Sequence, residues 1–337
     1  MLTKLVIAGS VALLLAYQSL WQPATWVYND RMLTNPIIVS PSRVLEKATM
    51  AVTGTPRSAR LLNLLLHACN AVLVGLLLNR LVGGYIAPIV TLAWMLHPLQ
   101  VESVAYGAGR GELLAATGVL IAVLAAVAGG RGWGWWALIG GVLGMAAKES
   151  AIVVLALVPL VRFSAGYRWK LAAGVCAGTA IIAIALFGGP VAIINQELYS
   201  AHVTTSEWVL VQLTAVARLT WLAVLPFNQT IDYDYDIIPN AVRLLCAIAL
   251  FTWVWLALRM RHTLVTLGIL WTLIAVAPRL FVQTPRSYLN EHQFYTPLIG
   301  FAIMLCGLIQ ARRSHGVIRE EEGTAGRREA DRVYAPA

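Results

Sequence analysis

Charge is what this chain has least of. Only 12% of its 337 residues are Asp, Glu, Lys or Arg, against 59% hydrophobic, and the mean hydropathy is +0.72. That composition leaves no soluble domain of ordinary size once the apolar runs are removed, and it points to a polytopic membrane protein. Cysteine is scarce as well. Cys69, Cys176, Cys246 and Cys306 all fall inside apolar runs without C-x-x-C spacing, which argues against a disulfide framework or a zinc site and for small core residues. The G-x-S-x-G, H-E-x-x-H and Walker A patterns are missing, so hydrolase, protease and nucleotide-driven pump readings lack support. No internal repeat is present. The net charge of +9 comes without an exposed basic module; its residues sit between apolar runs, where cytoplasmic anchoring and anionic headgroups explain them better than nucleic acid does.

What the chain has in quantity is apolar length. A helix needs about 20 residues to cross the hydrocarbon layer. Runs at 4–21, 58–79, 81–96, 111–129, 133–147, 149–163, 169–188, 241–258, 263–281 and 294–311 predict an all-α polytopic bundle over residues 1–311. The expected count is about 10 to 11 transmembrane helices. Residues 312–337 form a charged tail with too few apolar groups to fold. The first run continues to Trp21 with no clear small-x-small site and is read as an uncleaved anchor.

Arg162, Arg168 and Lys170, then Arg259 and Arg261, then Arg312 and Arg313, mark cytoplasmic connections. Counting from a cytoplasmic Lys4 puts Asp30, the 97–110 connection, Lys148-Glu149, the start of 189–240 and the 283–293 connection outside. That parity requires 206–226 to be interfacial or re-entrant, with a full crossing as the alternative. Between Pro41 and Gly54, the pattern of Arg43, Val44, Leu45, Lys47, Ala48, Met50 and Ala51 predicts an amphipathic helix lying in the membrane plane in the first outer loop.

The outer side holds more cations than its loops ordinarily carry, among them Arg31, Arg43, Lys47, Arg57, Arg60, Arg110, Lys148, Arg218, Arg279 and Arg286. Anionic headgroups account for some; a lipid-linked phosphate ligand accounts for the rest. Ionisable groups near membrane depth are expensive, so each one needs a reason. Asp30 follows Trp26-Val27-Tyr28-Asn29. His97-Pro98 ends a span, and Glu102, Arg110 and Glu112 follow in one short connection, where a Glu102 to Arg110 ion pair is the structural alternative. Lys148-Glu149 interrupts the apolar run from Trp133 to Leu160, either turning a hairpin in water or touching a phosphate. Asp232, Asp234 and Tyr235 belong to an alternating Asp/Tyr stretch that suits sugar or an aromatic belt, and a divalent cation if the acids converge. Arg279, Arg286, Glu291, His292 and Tyr295 precede the last span.

Four of these places form a set: Val27-Tyr28-Asn29-Asp30-Arg31 with Thr34-Asn35-Pro36; His97-Pro98 through Glu102 to Arg110-Gly111-Glu112-Leu113-Leu114; Ala147-Lys148-Glu149-Ser150; and Glu291 through Tyr295, Pro297 and Gly300. From about Trp26 to Gly300 the chain resembles the membrane domain of the transmembrane O-mannosyltransferases that carry tetratricopeptide repeats, and their bacterial relatives, within the GT-C superfamily of polyprenyl-phosphate-sugar glycosyltransferases. The resemblance implies a GT-C-like bundle in a bacterial inner membrane. It implies transfer of one sugar, with inversion, from a polyprenyl-phosphate donor to an acceptor hydroxyl of a protein or glycan on the periplasmic side. In that scheme Asp30 is the base, and Arg110, Lys148, Arg218 and Arg286 bind the donor phosphate. Asn29, His97, Glu102, Glu149, Asp232, Asp234, Tyr235, Glu291 and His292 support the site or bind sugar and acceptor, and the lipid-linked sugar is the only cofactor-like partner. The chain departs from the family at Asn29, where a second acid is usual, at His292, where Arg is usual, and in lacking the repeats. A transporter or flippase of lipid-linked saccharides is the competing reading, motivated by Asn63, His67 and Asn70 at membrane depth.

Overall fold

The computed structural model describes residues 43–167, 169–187, 205–229, 238–259, 263–281 and 290–313. Among them there are helices and turns and no strand. In chain order the helices are α1 (Val44–Val52), α2 (Pro56–Leu81), α3 (Ile86–Met95), α4 (Val101–Ala105), α5 (Arg110–Ala128), α6 (Trp133–Ala147), α7 (Val154–Ser164), α8 (Trp169–Phe187), α9 (Thr205–Val224), α10 (Asn240–Arg259), α11 (Thr263–Phe281) and α12, residues 295–313. Short 3-10 turns at Pro98–Gln100, Gly107–Gly109, Glu149–Val153 and Glu291–Phe294 join them.

Local chemistry sets the ends. Pro56 opens α2 behind a capping box in which Thr55 and Ser58 bond each other's backbone N–H. Gly129, at φ +65°, ends α5 and Gly132, at φ +83°, opens α6, angles that cost glycine nothing. His97 leaves α3 in an extended conformation before Pro98, as the His-Pro pair predicts.

Among the described residues, four helices are long and apolar enough to cross a membrane: Pro56–Leu81, Arg110–Ala128, Glu207–Val224 and Glu291–Arg313. The described architecture is therefore all-helical with four candidate crossings among the described residues. Glycines and polar turns cut other apolar runs: α3, α6 and α7 have 10, 15 and 11 residues, short of a full crossing on their own. α9 bears on the 206–226 segment. It is continuous over 20 residues, without the break a re-entrant path requires. The run at 4–21 and the tail beyond 313 lie outside the described residues.

Large apolar side chains face outward, including Trp135, Trp136, Ile139 and Leu143 on α6 and Leu245, Ile248, Phe251 and Trp255 on α10. In water such a surface would aggregate; in lipid it is solvated. Inside, glycine brings helices together. A Cβ on Gly118 of α5 would stand 2.5 Å from the Gly144 Cα and 2.6 Å from the Gly140 carbonyl oxygen of α6, backbone against backbone. Gly118→Val should lower stability by about 1–3 kcal/mol or more through overpacking. Thermal unfolding in detergent measures it, with Gly174→Ala, which meets nothing within 4 Å, as the neutral control. A second close seam joins Gly268 of α11 to Gly300 of α12, and beside it the Trp271 indole N–H bonds the Thr296 carbonyl at 3.0 Å.

Candidate functional site

At the end of the bundle where α5 and α12 begin, charged side chains from distant connections meet. α6 stops at Ala147 because Lys148 is extended (φ −158°, ψ 143°), and the chain restarts as the Glu149–Val153 turn. Lys148 and Glu149 find different partners. The Lys148 ammonium sits 2.9 Å from Glu112 Oε1, and the Ser150 hydroxyl donates to Glu112 Oε2 at 2.9 Å. Glu149 is grasped by Arg43, whose Nε donates at 2.9 Å and whose Nη2 makes a second bond, the two-pronged geometry that suits a guanidinium. Lys148 and Glu112 are both buried, so the hydrated hairpin turn considered from sequence is not what forms.

The neighbouring Glu102 lies on α4. It accepts from the His292 backbone N–H at 2.7 Å and from its Nδ1 at 2.7 Å; a carboxylate only accepts, so Nδ1 carries the proton. Ser103 donates to the His292 carbonyl at 3.2 Å, and Gln229 donates to Glu291 at 3.0 Å. Glu102 thus pairs with His292 and not with Arg110, which corrects the ion pair weighed from sequence. Arg279 of α11 adds its field at Glu112.

Other expected residues have structural parts. Arg110 is fully buried: Nε donates to Asn63 at 3.0 Å, Nη1 to Thr53 at 2.8 Å and Nη2 to the Ala59 carbonyl at 3.0 Å. It ties α1 and α2 to α5. Arg218 bonds the Asn228 carbonyl at 3.0 Å and closes the loop after α9. His97 accepts from the Leu99 N–H on Nδ1 and donates from Nε2 to the Ala223 carbonyl, both at 3.2 Å, and burial holds its pKa below the ordinary value, so it is a neutral splint between α3 and α9. Asn29, Asp30, Asp232, Asp234, Tyr235 and Arg286 lie outside the described residues.

The polar groups at membrane depth are consumed inside the bundle. His67 bonds the Tyr295 hydroxyl at 2.8 Å and the Met95 carbonyl at 2.9 Å. Asn63 donates to Val104 and Tyr106, and Asn70 to Leu113. They join α2 to its neighbours, the usual work of such groups between membrane helices.

Two members of the cluster were not among the site residues expected from sequence: Arg43, read as one of the outer cations and as part of the amphipathic pattern, and Glu46. The amphipathic helix forms as expected, but the face it buries carries a carboxylate beside Met50 and leaves two of its valines out. Val44 and Val52 face outward while Glu46 and Met50 face the bundle. Spacing of i, i+3 and i+7 aligns Arg43, Glu46 and Met50 on one face, the only local trace of this arrangement; the partner of Arg43 lies 106 residues on.

The Arg43–Glu149 pair predicts an acid limb in stability. Burial pushes the Glu149 carboxyl up, but the Arg43 guanidinium with its hydrogen bonds, helped by Lys148, outweighs it and holds the group at about 2. A depressed carboxyl contributes stability above its unfolded value of 4.5 that is lost as pH falls toward 2. Stability should fall between about pH 5 and 2, by at most about 3 kcal/mol over the whole transition, and the thermal midpoint should fall with it. In Glu149→Gln this limb should be absent; an unchanged limb would show that another carboxyl causes it.

No protein-family model, curated protein or solved structure matches this chain. What the cluster does is therefore argued from its chemistry. Among the described residues, three or more His, Cys, Asp or Glu side chains nowhere converge as metal ligands. The arrangement offers an ammonium with donors to spare beside fixed carboxylates, at the end of an apolar bundle, which suits an anionic group carried on a lipid.

Proposed function

We propose that this chain is an integral-membrane glycosyltransferase that moves one sugar, with inversion, from a polyprenyl-phosphate donor to an acceptor hydroxyl of a protein or glycan on the extracytoplasmic side of a bacterial inner membrane. The observation that carries the reading is the gathering of Lys148, Glu112, Glu149, Glu102 and His292 at one end of the bundle, because three of the four sequence places that resemble the GT-C enzymes supply it. The opposite end has basic residues on aromatic rings, Arg162 between Trp133 and Tyr167 and Arg313 over Tyr85, a distribution that suits the cytoplasmic side.

In this reading Asp30 takes the acceptor proton as the hydroxyl attacks the anomeric carbon from the face opposite the phosphate. Lys148, bonded to Glu112 through one of its three N–H groups, turns the others to the departing phosphate, whose charge grows in the transition state. The lipid tail needs no nucleotide-binding fold; the apolar surface of the helices holds it.

The test is direct. The full chain in nanodiscs is given a panel of synthetic polyprenyl-phosphate sugars and a hydroxyl acceptor, and released polyprenyl phosphate is measured with the anomeric configuration of the product. One donor should turn over with inverted product. Movement of a labelled lipid-linked saccharide between leaflets without any transfer would instead establish the flippase reading.

A further inference from the structure

The pairing in the cluster leaves one acid over. Arg43 holds Glu149 and Lys148 holds Glu112. Glu46 has no such match. It is fully buried, its nearest cation is Arg43 Nη1 at 3.6 Å, and among the described residues no hydrogen bond reaches either carboxyl oxygen. Its carboxyl lies flat on Gly111, where a Cβ would stand 2.9 Å from Oε2 and 3.0 Å from Cδ and Oε1. A side chain at 111 would require the carboxyl to shift from this position.

A buried carboxylate without hydrogen bonds is costly, and such a group takes up a proton instead. The charges that face it are Arg43 on α1, Glu112 at the start of α5, and Lys148 and Glu149 on the turn after α6. Burial is the largest influence and pushes Glu46 upward; Glu149 and Glu112 push the same way, while Arg43 and Lys148 pull down without cancelling the rise.

We propose that Glu46 is a proton-dependent seat for α1: protonated, it lies neutral against Gly111 while Arg43 reaches Glu149; ionised, it is a surplus buried charge that drives α1 off the bundle. α1 is then a clamp on the Lys148-Glu149 turn, and Glu46 is a positioning residue. The sign follows from linkage. Below the ordinary carboxyl value of 4.5 both the seated and the lifted helix carry the proton, and Glu46 does not oppose seating. Above it, seating weakens by up to about tenfold per pH unit until the raised value is passed, and then levels. Because the Arg43–Glu149 pair weakens only in acid, the two carboxyls confine firm seating to a window near 4.5.

The experiment uses the full chain in nanodiscs without substrate, so its failure would leave the glycosyl transfer proposal standing. Met50→Cys places a thiol on the buried face of α1 and Val52→Cys one on the face that is 85% exposed. Maleimide labelling is followed from pH 5 to 8 by peptide-resolved mass spectrometry, which separates the native cysteines. The ratio of rates at positions 50 and 52 cancels the intrinsic pH dependence of thiolate formation. The ratio should rise several-fold across this range, and with Glu46→Gln it should stay low and flat. A flat ratio in the parent, or an equal rise with Glu46→Gln, overturns the proposal. Gly111→Ala, whose methyl displaces the Glu46 carboxyl from its position, should raise the ratio above the parent's at pH 5; a ratio like the parent's overturns the geometry.

Discussion

Lys148→Met should lower kcat for sugar transfer by about 10²–10³, the range for losing one donor that stabilises charge developing in a transition state. The argument turns on what Lys148 touches. Its ammonium is buried and 2.9 Å from Glu112, so removing it has two consequences. In the proposed transfer the departing phosphate loses a cation, and Glu112 is left as a buried carboxylate with the Ser150 hydroxyl as its hydrogen-bond partner and the more distant field of Arg279. The double variant Lys148→Met/Glu112→Gln separates them. Neutralising Glu112 should return thermal stability toward that of the parent, yet transfer should stay low. Recovery of transfer in the double variant would reduce Lys148 to a partner of Glu112. Lys148→Arg should restore transfer only in part, because a planar guanidinium cannot occupy the place of a compact ammonium.

Arg110→Leu should lower stability by about 1–3 kcal/mol. The side chain is fully buried and each of its three nitrogens has a partner, on the cap of α1, within α2 and at the Ala59 carbonyl. Leucine fills much of the volume but leaves the Asn63 amide oxygen without its donor, and an unsatisfied buried acceptor costs about 1–3 kcal/mol. Thermal unfolding in detergent measures the loss. The outcome also decides between two parts for this residue. The resemblance gives Arg110 to the donor phosphate; a variant with unchanged thermal midpoint and a weakened response to donor would return it there.

Much of the coarse architecture was legible because hydropathy is additive along the chain. Runs such as 58–79, 111–129 and 294–311 exceed what a soluble core tolerates, and each became a helix long enough to cross a membrane. Lys148-Glu149 was legible too, since two charges in an apolar run need a reason wherever the chain goes. Glu46 was not. It sits in a short helix whose apolar residues are spread over more than one face, and its surroundings are built by Gly111 and Arg43 together. The partners of Arg110 were not legible either: the guanidinium is buried among Thr53, Asn63 and Ala59, contacts that local spacing does not announce.

By itself the sequence determined that this is an all-helical protein with helices suited to a membrane, where α3 would end, and which connections carry charge, including the Trp26 to Pro36 stretch with Asp30. These are properties of composition and of neighbours a few residues apart. Only the tertiary structure decided which charges meet. Arg43 with Glu149, Glu112 with Lys148 and Glu102 with His292 are separated by up to 190 residues, and nothing in local spacing ranks one pairing above another. The physical reason is that a buried charge is tolerated only beside a specific partner with good geometry, and geometry exists only after the helices that carry both partners have packed.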